Sequence, residues 1–77
     1  MINEKEFFDI LYSKYQKLFL NKEEISFELG ISQSTLNRKI KSQEALPTFE
    51  KEGGKYLFSL LGLVKYTMAL NKLKNRI

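Results

Sequence analysis

Between Leu29 and Gln33 the chain has three residues, Gly30, Ile31 and Ser32, in which to end one helix and begin another. Upstream, Asn21 can cap a helix, and Glu24 stands three residues on, where cap and acid satisfy each other's free backbone N–H groups. Ile25 and Leu29 then fall on one helical face. Gly30 suits the stop because it takes left-handed backbone without a Cβ clash. Ser32 caps the next helix, which carries Leu36 and Ile40. So short a connector forces the two helices to cross steeply. Ile31 then plugs the gap, and Leu36 and Ile40 face Ile25 and Leu29.

The remaining elements group around this pair. A first helix starts at an Asn3 cap with Glu6 three residues on. Phe7, Leu11, Tyr15 and Leu18 recur along it at helical spacing, with Phe8, Tyr12 and Phe19 beside them, which predicts a helix from Asn3 to Phe19. Pro47 ends the central helical region. Thr48 to Lys51 and Lys55 to Phe58 read as two strands joined by Glu52, Gly53 and Gly54, the paired glycines supplying the positive φ values of a tight hairpin. Phe58 is expected in the core. Ser59 caps a last helix whose apolar side is Leu60, Leu63, Val64, Thr67, Met68 and Leu70. A basic tail, expected to fray, follows over 71–77.

Composition narrows the chemistry. The 77 residues include no cysteine and no histidine, which excludes disulfide stapling and a zinc site of the usual Cys/His kind. The sole aspartate, Asp9, has no evident carboxylate partner, and Gly53-Gly54 lacks the Lys-Ser/Thr of a phosphate loop. With no histidine as general base, no enzyme and no cofactor are expected. No stretch approaches the roughly 20 apolar residues of a membrane span. Met1 to Asp9 does not read as a signal peptide, so a cytoplasmic location is expected.

The net charge of +4 is unevenly spread. Ser32 to Gln43 holds Arg38, Lys39 and Lys41 without an acid, and Leu60 to Ile77 holds Lys65, Lys72, Lys74 and Arg76, again without one. The third helix thus offers Gln33, Ser34, Asn37, Arg38 and Lys41 on a polar face with no carboxylate to repel phosphate. Such a face suits base edges and phosphates in a major groove. Arg38 can grip guanine bidentately and Asn37 can do the same for adenine, whereas Lys39 and Lys41 suit phosphates.

Three features, taken in order, resemble the MerR-like winged-helix superfamily, and within it the small excisionase-like and AlpA-type regulators of phages and integrated elements. They are GISQSTLNRKIK (Gly30 to Lys41), the Leu46-Pro47 step, and FEKEGGKYLFSLLGLVKY (Phe49 to Tyr66). The resemblance covers Leu20 to Ala69. It implies a mostly α fold: a winged helix-turn-helix with an additional N-terminal helix and a short β-hairpin wing. The chain would be a single domain over 1–77, with the extra helix over 1–19, the family-like core over 20–70 and the basic tail after it. The partner implied is double-stranded DNA. Ser32, Gln33, Ser34, Asn37, Arg38 and Lys41 occupy the base- and phosphate-contacting positions, and Lys51, Gly53, Gly54 and Lys55 occupy the wing. Glu50 and Glu52 flank that wing, where many of the family carry arginine. The sensing functions of full-length MerR regulators are not implied.

A protein-interaction module is the competing class. Phe7, Phe8, Tyr12, Tyr15 and Phe19 place five aromatics within thirteen residues outside the family-like core. They serve either as an interface, for a homodimer or another protein, or as the completion of a small core.

Overall fold

The computed structural model describes residues 3–74, and their side chains over 3–70. Of the tail over 71–77 that was expected to fray, 71–74 continue the last helix, and 75–77 lie outside the described residues. Among the described residues, four helices and three short strands run in the order α1 (Glu4–Tyr15), β1 (Phe19–Leu20), α2 (Lys22–Leu29), α3 (Gln33–Lys41), β2 (Phe49–Glu52), β3 (Lys55–Ser59) and α4 (Leu60–Lys74). The fold is mostly α, with one antiparallel sheet in the strand order β1-β3-β2.

Every helix start follows from a local cap. Asn3 and Glu6 form a reciprocal capping box at α1, and Asn21 and Glu24 form the same at α2. The Ser32 hydroxyl accepts from the Thr35 N–H at α3, and the Ser59 hydroxyl accepts from the Gly62 N–H at α4. Gly30 ends α2 in the left-handed region at φ 70°, as its lack of a Cβ allows.

The first helix is shorter than its aromatic periodicity predicts. It stops at Tyr15, where Gln16 turns left-handed at φ 55° and its N–H bonds to the Tyr12 carbonyl. Leu18 and Phe19 do not extend the stripe. Phe19 and Leu20 instead pair with Ser59 and Phe58, and the Leu18 carbonyl accepts from the Leu60 N–H. The expected two-stranded hairpin is therefore part of a three-stranded sheet. The physical reason is tertiary. Helical spacing fits Leu18 and Phe19 equally well, but extension sends Leu20 into the core, where it is fully buried, and gives β3 a second hydrogen-bonded neighbour. A hairpin alone is marginal in water, and a third strand with an apolar face relieves that.

One cluster makes the interior: Leu11 from α1, Leu20 from β1, Ile25 from α2, Leu36 from α3, Phe58 from β3, and Leu60, Leu63 and Val64 from α4. Each long element contributes at least one member except β2, whose Phe49 packs on the cluster's edge. Leu36 and Ile25 are buried as expected, while Leu29 and Ile40 are half-buried against them. Phe7, Phe8 and Tyr15 also pack on this core, so much of the aromatic surplus of α1 is spent inward.

Candidate nucleic-acid interface

The inward side of α3 is settled by Leu36, which is fully buried. The opposite side must then face water, and Gln33, Ser34, Asn37, Arg38 and Lys41 are all exposed along it. Ser32 sits at the helix start with its hydroxyl engaged by Thr35, both as cap and as donor to the Thr35 hydroxyl.

The hairpin turns on Gly53 and Gly54, at φ 53° and 86°, conformations that side-chain-bearing residues adopt only with strain. Register places Lys51 opposite Tyr56 and Glu52 opposite Lys55. Because strand side chains alternate, Lys51 shares a face with Phe49, Tyr56 and Phe58, and Glu50 and Glu52 lie on the other face with Lys55. The two acids therefore do not stand on the Lys51 side of the hairpin.

Lys22 links this hairpin to α3. Its ammonium donates to the Asn37 side-chain oxygen at 2.7 Å and stands 4.4 Å from the centre of the Tyr56 ring. Lys51 lies 5.7 Å from the same ring. An open cleft beside them is lined by Asn21, Lys22, Gly54, Lys55, Tyr56 and Leu57, with no carboxylate among its walls. Asn37 on α3 and the hairpin that carries Lys51, Gly54 and Lys55, two separate stretches of sequence, are thus brought together at a residue that sequence reasoning passed over. One signal was available: a lysine at the first position of a helix opposes the macrodipole, which favours the acids Glu23 and Glu24 that follow it.

A second residue was missed, and it changes the electrostatics of α3. The helix ends in a left-handed turn at Gln43, φ 56°, closed by bonds from the Gln43 N–H to the Ile40 carbonyl and from the Glu44 N–H to the Lys39 carbonyl. That turn carries Glu44 back over the last helical turn. One carboxylate oxygen accepts from Arg38 at 2.9 Å and from the Ser42 hydroxyl at 2.8 Å, and the other accepts from Lys39 at 3.3 Å. These contacts, led by the Ser42 and Lys39 hydrogen bonds, hold the Glu44 carboxyl below the usual carboxylate range. The stretch from Ser32 to Gln43 is free of acid in sequence, yet its cationic end is met by one in space.

No histidine, cysteine or acid cluster suited to a metal ion occurs among the described residues, and none of their helices is long and apolar enough to cross a membrane. No protein-family model, curated protein or solved structure matches this chain.

Proposed function

We propose that this chain binds double-stranded DNA sequence-specifically, as a small transcriptional regulator or excisionase-like factor of the cytoplasm, without catalysis and without a cofactor. In this reading α2 and α3 are a helix-turn-helix, α3 is the recognition helix and β2–β3 is the wing. The observation that carries it is the exposed row Gln33, Ser34, Asn37, Arg38 and Lys41, which contains no acid of its own, meets Glu44 at its Arg38 end and is joined to the hairpin through Lys22. Side chains of this kind on one helix face match the donors and acceptors of base edges in a major groove. The sequence resemblance to MerR-like, excisionase-like and AlpA-type regulators supports the same assignment of parts.

Selection of bound sites from random duplex DNA tests the reading. A recovered consensus with binding that weakens steeply as salt rises supports it, and recovery of no sequence together with salt-insensitive binding defeats it. On the selected site, Arg38→Ala is expected to cost about 1–3 kcal/mol and relax preference at one base pair. An equal loss on selected and random DNA makes Arg38 a phosphate contact only. A single half-site in the consensus points to a monomer on DNA, an inverted pair to a dimer.

One observation favours the protein-interaction reading. Phe27 on α2 is 71% exposed and Ile10 on α1 is 57% exposed, and both are larger apolar side chains than water-facing helix positions require. Tyr12, stacked on Phe8, is also exposed. Sedimentation across a concentration series tests the homodimer form of this reading. A monomer at all concentrations removes it.

A further inference from the structure

Glu44 forms its contacts without joining one element of the fold to another. Its partners Arg38 and Lys39 lie on the final turns of α3, and Ser42 caps that helix. A carboxylate at a helix C-terminus is also on the wrong end of the macrodipole, and the cations that suit that end were already present. The backbone departs from the usual choice as well, since Gln43 takes a left-handed conformation in which glycine is the comfortable residue. The backbone bonds of that turn close the helix end whatever side chain stands at position 44, and exposed ion pairs add little, so helix stability does not account for the placing of the Glu44 carboxylate. Its visible consequence is on the surface, where one carboxylate partly cancels two of the three α3 cations and holds the Arg38 guanidinium by one terminal nitrogen.

We propose that Glu44 is the specificity-determining residue of the α3 face: it restrains Arg38 in the orientation that meets a base edge and withholds Arg38 and Lys39 from indiscriminate phosphate binding. The inference rests on the DNA-binding reading above. Both actions push the same way. Restraining a guanidinium before binding removes rotamer freedom that a base contact otherwise has to remove, which favours the matched site. Neutralising charge lowers the attraction that every phosphate exerts, which weakens the unmatched ones. Lys41, exposed and outside the Glu44 cluster, keeps its full charge for positioning contacts.

The test compares wild type, Glu44→Gln and Glu44→Asp on the selected duplex and on a random duplex, each from 50 to 200 mM salt. Glu44→Gln keeps the shape and a hydrogen-bond acceptor but removes the charge. It is expected to bind random duplex more tightly, with the salt slope steeper by about 0.9 for each phosphate contact released. That slope widens the affinity change across this salt range about threefold per contact. The ratio of selected to random affinity should fall. Glu44→Asp, which keeps the charge, should retain most of the wild-type slope. A purely structural role would shift the melting temperature of Glu44→Gln and leave the slope and ratio alone, and that outcome overturns the inference. A fall in random-duplex affinity also overturns it. Wild type that binds no duplex defeats the DNA-binding reading and this inference with it, whereas wild type that discriminates while Glu44→Gln matches it in slope and ratio defeats this inference alone.

Discussion

Glu28 and Glu44 are two carboxylates that each gather a lysine and further donors, in opposite settings. Glu28 on α2 accepts from the Lys14 ammonium at 2.7 Å and from the Tyr15 hydroxyl, both on α1, and its side chain is 17% exposed. Lys14 also lies 4.6 Å from the centre of the Phe27 ring. This cluster ties two elements together that sequence separates by a strand. Glu44 gathers Arg38, Lys39 and Ser42 from its own helix end, is 39% exposed, and ties nothing together. The difference teaches how to divide charged clusters in a small domain. Where a carboxylate spans elements and is shielded, it supports the fold; where it folds onto its own helix in water, its effect is on what that helix presents.

The largest expected effect sets the scale for a true interior link. Leu36→Ala should cost roughly 2–5 kcal/mol, read as a shift in urea midpoint, because Leu36 is fully buried where α3 meets the core. A loss below half a kilocalorie per mole would mean that α3 does not depend on the α2 side of the core. Next comes Glu28→Ala, which leaves the part-buried Tyr15 hydroxyl without its acceptor and should cost about 1–2 kcal/mol. A Glu28→Ala protein as stable as wild type would erase the distinction between the two clusters.

The same contact has a signature in alkali. Burial first, and then the hydrogen bond to Glu28, pushes the Tyr15 phenol above its ordinary value of 10.0. The folded state then keeps a proton that the unfolded chain has released, so the stability Tyr15 contributes is complete below pH 10.0 and declines as pH rises toward the raised value. Urea midpoints followed upward from pH 10.0 should fall less steeply in Tyr15→Phe than in wild type. Parallel decline in the two proteins would show that Tyr15 does not carry this linkage. The smallest effect is expected at the other cluster: Glu44→Ala should leave the thermal melting transition close to that of wild type, because exposed ion pairs are worth little. A marked fall in that transition would return Glu44 to a structural role.

What was legible in the sequence is what neighbouring residues decide among themselves. Asn3 with Glu6, Asn21 with Glu24, Ser32 and Ser59 announce four helix starts, Gly30 one stop and Gly53-Gly54 a turn, because caps and positive φ are satisfied within about four residues. The polar row on α3 was legible for the same reason, since Leu36 and the helical period place it opposite the core. The features that periodicity could not assign are pairings between distant residues. Leu18 and Phe19 match a helix in spacing and still go to the sheet, because β3 offers hydrogen bonds and Leu20 a buried place that no window around them contains. Lys22 reads as one more surface cation until the fold puts Asn37 and Tyr56 within its reach. Glu44 reads as lying beyond an acid-free helix until the left-handed turn at Gln43 folds it back. Local sequence thus set where the helices begin, where α2 ends and which way α3 faces; tertiary packing decided where α1 gives way to the sheet and which charges meet across the elements, because strand pairing and electrostatic contact depend on distance in space and leave no period in the chain.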